Sequence, residues 1–140
     1  MFGEILYFMT QKLIFTNLAL GFLSWFIPFI FSCMFFIPEG KLMISQELFK
    51  SIMIVTGILT GCVLLYQYYK QVDTDFVKQG IIVGCSWLFL NLILDVIVLI
   101  PLMKVSFIYY FKEIGLSYLA IPIISVAMGY LLRSKIKPTF

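Results

Sequence analysis

The chain has 140 residues, 62% hydrophobic, 18% aromatic and only 12% charged, with a mean hydropathy of +1.06. A soluble domain carries about 25% charged residues, so composition excludes that class. Ten Lys and Arg against seven Asp and Glu leave a net charge of +3, scattered between apolar runs and forming no nucleic-acid footprint. With no histidine anywhere, a His base, a His-ligated metal and a His-ligated haem are all excluded.

A spanning helix needs ~20 predominantly apolar residues, and four runs of that kind fill most of the chain. The first covers residues 13–37, between Gln11-Lys12 and Pro38-Glu39-Gly40-Lys41. It is longer than the h-region of a signal peptide and no small-residue cleavage site follows it, so it reads as a retained helix. The second covers residues 48–69 and ends at Lys70-Gln71. Gly57 and Gly61 form a G-x-x-x-G within it, repeated at Gly80 and Gly84 in the third run. Small residues at that spacing let helix backbones approach closely. Packing within the monomer is the plainer reading, and a homo-oligomer interface is the other. Tyr66, Gln67 and Tyr69 read as an interfacial belt. Cys33, Cys62 and Cys85 are isolated inside predicted spans and read as buried structural thiols.

The third run, residues 76–103, holds the sharpest feature of the sequence. Asn91 and Asp95 are four residues apart and share one helix face. An ionisable residue deep in a bilayer costs roughly 2.5–3.5 kcal/mol on insertion scales, so such residues turn inward and mark a site by default. The bland alternative is interhelical glue. Folding the second and third runs about Asp73-Thr74 predicts Thr56 near Asn91. Folding the third and fourth about Ile108 predicts Ser125 near Asn91 and Ile121-Pro122 near Asp95. The first run is parallel to the third, which brings Ser24, Pro28 and Ser32 to similar depth. Asn91, Asp95, Ser24, Thr56 and Ser125 are therefore the candidate ligand- or ion-binding residues, at mid-membrane. Pro28 and Pro122 would each free a carbonyl four residues earlier, at Ser24 and Tyr118.

The segment from Val105 to Glu113 is dense in aromatics and reads as an interfacial anchor. The fourth run covers residues 114–132 and ends in a basic tail, Arg133 to Pro138. Four spans put both termini on one side with six Lys and Arg, against four on the other. That bias predicts cytoplasmic termini in a cell membrane. No catalytic constellation, metal cluster or cofactor motif is present.

The run from Trp87 to Asp95 carries a W-x-x-x-N-x-x-x-D pattern and is followed by Ile100-Pro101 and by a last span with Tyr118 to Ile123. In these residues the second half of the chain resembles small four-helix prokaryotic membrane proteins of uncharacterised function. The resemblance implies a four-helix integral membrane fold and no particular activity. The sequence thus predicts one all-α, polytopic membrane domain over residues 1–140, a bundle of four transmembrane helices. Its partners are the lipid bilayer and either further copies of itself or another membrane protein, without nucleic acid. A small transporter, channel or small-molecule-binding bundle is the leading expectation. The alternative is a non-catalytic accessory or structural subunit, and an intramembrane enzyme is the least favoured.

Overall fold

The computed structural model describes residues 2–136, and the side chains of residues 2 and 5–9 lie outside that description. Lys137 and Pro138 of the basic tail lie outside the described residues. Helix α1 is Phe2–Cys33, α2 is Gln46–Tyr69 and α3 is Phe76–Leu94. A π-helical turn, Asp95–Leu99, continues α3 into the short α4, Ile100–Met103. The chain then reverses into α5 (Phe107–Glu113), a 3₁₀ segment (Gly115–Leu119) and α6 (Ala120–Lys135). Four stretches are long and apolar enough to cross a membrane: Thr10–Cys33, Gln46–Tyr69, Phe76–Met103 and Gly115–Lys135. By length and composition this is an all-α, four-helix, multi-pass membrane protein.

The helix ends follow local chemistry. Ser45 Oγ accepts from the Leu48 N–H and starts α2, and Ser106 Oγ accepts from the Tyr109 N–H and starts α5. Between α1 and α2 an isolated antiparallel bridge joins Phe36 to Leu42. Its turn places Gly40 at φ +77, where a Cβ would strain the backbone.

α3 packs most extensively against α6, while α1 lies against both α2 and α3. α2 and α3 meet through side chains at their loop end, where the Tyr68 hydroxyl donates to Gln79 Oε1 at 2.8 Å, but their backbones do not pack closely along the spans as the expected hairpin would require. Thr56 is not among the hydrogen-bond partners of Asn91, which are Ser24 and Trp87. The buried apolar core joins the C-terminal half of α2 to the first half of α3, through Leu64, Leu65, Tyr68, Tyr69, Val72, Val83 and Trp87. Tyr69 is therefore a core residue and not part of a belt, whereas Tyr66 stays exposed with the Lys70 ammonium 5.0 Å from its ring centroid. Large apolar side chains such as Phe15, Leu59, Phe89, Ile97 and Ile123 point outward, as a lipid solvent requires. Cys33 and Cys85 point outward too and Cys62 is half-buried, so the thiols are not packed in the core as expected.

The α3–α6 seam fixes the register of the return leg. Gly84 faces Pro122, Gly80 faces Ser125 and Val126, and Gly129 faces Phe76. That register places the turn at Met103-Lys104, with Lys104 in the left-handed region at φ 53. The sequence-based turn at Ile108 is thus about five residues too late. Val105 to Glu113 belongs to the returning leg, and its α5 helix buries Tyr110 against the bundle. Pro122 stands in the first turn of α6, where a missing N–H costs little, so it does not interrupt a helix as expected.

Candidate functional site

Asp95 is the last α-helical C-cap of α3 and the first residue of the π turn, whose closing bond runs from the Ile100 N–H to the Asp95 carbonyl. Pro101 follows directly. π turns are rare and concentrate at functional sites. The Asp95 side chain is 2% exposed. Its Oδ1 accepts from Trp25 Nε1 at 2.6 Å. Its Oδ2 accepts from the Tyr110 and Tyr118 hydroxyls, each at 2.6 Å. One carboxyl group thus joins α1, α3, α5 and the 3₁₀ segment. Trp25 is itself held by stacking on Phe29, with centroids 4.8 Å apart.

A polar seam continues down the α1–α3 interface. Asn91 Nδ2 donates to Ser24 Oγ at 2.9 Å and to the Trp87 carbonyl at 2.8 Å. Ser24 in turn donates to the Gly21 carbonyl. Trp87 Nε1 reaches both the carbonyl and Oδ1 of Asn17, at 2.9 and 2.8 Å. Ser86 Oγ donates to the same Asn17 Oδ1 at 3.1 Å. Gly21 makes this approach possible, because a Cβ there would lie 2.8 Å from the Trp87 ring. The parallel register of α1 and α3 anticipated from sequence is the one observed.

Asn91, Asp95 and Ser24 therefore come together, and Ser125 and Thr56 do not join them. Ser125 Oγ donates to the Gly80 carbonyl at 2.5 Å, and its own carbonyl accepts from the Tyr69 hydroxyl at 2.6 Å. It fastens the opposite end of the α3–α6 seam. Depth also differs from expectation. Phe76–Met103 is 28 residues, about 42 Å of helix, and Asn91 sits near its midpoint. Asp95 lies one turn further on, about 12 Å from the Met103 end. A hydrocarbon layer roughly 30 Å thick centred on this span would still enclose it.

The residues missed from sequence are Trp25, Tyr110, Tyr118 and Asn17. Asn17, Gly21, Ser24 and Pro28 recur at helical spacing on one face of α1, which is the signal that could have found Asn17. Among the described residues every buried side-chain nitrogen and oxygen has a hydrogen-bond partner. Two grooves lie elsewhere, one at the start of α3 and one shallow and apolar on its outer face. Comparison of the chain with protein-family models, curated proteins and solved structures returns no match.

The two oxygens of Asp95 are served unequally, which yields a testable ranking. Trp25→Phe removes the donor that serves Oδ1, and an unsatisfied buried acceptor costs about 1–3 kcal/mol. Tyr118→Phe leaves Oδ2 with Tyr110, so a loss of about 0.5–1.5 kcal/mol is expected. Reversible unfolding in mixed detergent micelles measures both, and equal losses would show that the two oxygens are not served separately.

Proposed function

We propose that this protein is a non-catalytic integral membrane subunit whose Asp95 is an internal clasp rather than a substrate site. The carrying observation is that Asp95, 2% exposed, accepts from three donors of its own chain and lines neither groove described above. A transport or ligand site needs at least one polar group free to meet its cargo, and a concave surface that reaches it. Asn91 and Asp95 line neither of the two grooves, and both oxygens of Asp95 are already engaged by its own chain. A subunit of this kind acts by occupying a place beside another membrane protein. The six-to-four cation bias supports a cell membrane with both termini cytoplasmic.

A second reading keeps the transporter, and the π turn favours it. A π turn and a 3₁₀ segment flank the clasp on adjacent strands of the path, and both are strained alternatives to α-helix. Movement of α5 would uncover Asp95. Proteoliposomes and native-membrane purification separate the two readings. The clasp reading expects a stoichiometric membrane partner retained by wild type and by Asp95→Asn alike, and no ion or proton flux. A flux carried by wild type and abolished by Asp95→Asn would sink it in favour of the carrier.

A further inference from the structure

An open groove of about 570 Å³ lies between the first turns of α3 and the last turns of α6. Lys78 of α3, Arg133 of α6 and Asp75 line it, and Phe76, Ile81 and Ile82 supply apolar lining. It is remote from the clasp, since Lys78 and Asp95 are 17 residues apart, about 26 Å along the helix. Lys50 and Glu113 form an ion pair at the other end of the bundle, and among the described residues neither Lys78 nor Arg133 forms one. Two uncommitted cations against one carboxylate leave the groove net positive.

We propose that this groove binds the headgroup of an anionic phospholipid. Its position supports that occupant. Lys78 is two residues into a membrane-spanning stretch and Arg133 is two residues from the end of another, which is the level of lipid phosphates. Ile81 and Ile82, 50% and 44% exposed, lie one turn deeper, where an acyl chain would leave the headgroup. A soluble anion would gain nothing from those walls. Basic pockets between spanning helices on the side with excess cations are a recurrent device for holding acidic lipids. Asp75 is the opposing charge: it lines the groove and makes no capping side-chain hydrogen bond to α3.

The test uses the full chain in neutral detergent, with lipid retention read by native mass spectrometry and thermal unfolding. The probes are phosphatidylglycerol, phosphatidylcholine and inorganic phosphate. Each cation near a lipid surface contributes roughly fivefold to binding, so the double variant K78Q/R133Q is expected to lose on the order of 10- to 30-fold in phosphatidylglycerol affinity. Asp75→Asn keeps a residue that tolerates φ 54 and is expected to tighten phosphatidylglycerol several-fold. All three side chains are exposed, so the lipid-free melting temperature of each variant should match wild type. Phosphatidylcholine bound as well as phosphatidylglycerol, or phosphatidylglycerol bound undiminished by the double variant, overturns the proposal. So does inorganic phosphate stabilising the protein as much as the lipid, which would assign the groove to a free anion.

Discussion

Asp95→Ala is expected to destabilise the bundle by about 2–4 kcal/mol, whereas Asp95→Asn should cost only about 1 kcal/mol. The difference follows from what each residue offers the three donors. Alanine leaves the Trp25 N–H and the Tyr110 and Tyr118 hydroxyls without their shared acceptor. A buried donor stripped of its partner costs about 1–3 kcal/mol, although interhelical hydrogen bonds in bilayers average nearer ~0.6. The phenols can swing to other acceptors more easily than the indole, so the sum falls below three full penalties. Asparagine keeps an oxygen for Trp25 and presents an amide that the phenol oxygens can accept. The measurement is reversible unfolding in mixed micelles, with tryptophan fluorescence as the probe. Equal, small losses for both variants would show that the carboxyl group is not the bundle's clasp.

That expectation also separates the roles of Asp95 and Asn91. Asn91 bonds within the α1–α3 interface, to Ser24 and to its own helix. Asp95 alone reaches the return leg. Loss of Asp95 should therefore loosen α5 and the 3₁₀ segment before it disturbs α1 against α3. The clasp lies beside a π turn followed by Pro101, where the backbone already lacks regular α-helical bonding. Without the side-chain bonds, little else fixes that bend.

The four spans were legible because lipid imposes a simple rule: every spanning helix must be apolar along its length. Residues 76–103 were delimited from sequence at the same limits that the structure gives, Phe76–Met103. Ser24 and Asn91 were brought to one depth because parallel helices keep their register over a long span. The donors to Asp95 were not legible. Tyr110 sits in a run of aromatics beside Lys112, a composition that equally describes a headgroup anchor. Its assignment depended on where the chain reverses, and Lys104 turns through the left-handed region without the glycine that usually announces it. A shift of about five residues in the turn moved Tyr110 from the membrane surface to the carboxyl group. Trp25 was hidden for another reason, since a tryptophan in an aromatic-rich helix gives no sign of which way its N–H points.

The glycines give the second large expectation, because identical spacing has opposite consequences at two places. A Cβ on Gly84 would lie 2.6 Å from the Pro122 Cα, and one on Gly80 would lie 2.8 Å from the Ser125 carbonyl oxygen. Both obstacles are backbone and cannot rotate away. Gly84→Ala must therefore push α6 off α3, which strains the Ser125–Gly80 hydrogen bond. Overpacking of this kind costs about 1–3 kcal/mol, and Gly84→Leu should abolish the seam. On α2, a Cβ at Gly57 or Gly61 meets nothing within 4 Å. Alanine there removes only backbone freedom, so Gly57→Ala should be neutral or stabilising by up to about 1 kcal/mol. The same unfolding assay reads both variants. If Gly57→Ala costs as much as Gly84→Ala, the Gly57 face is packed in the micelle against something outside the monomer. Small residues are kept in membranes for close helix approach, and the fold itself uses Gly80 and Gly84 for that purpose. The membrane subunit reading then makes a sharper demand: a substitution at Gly57 should leave the isolated bundle intact and weaken only its retention of a partner.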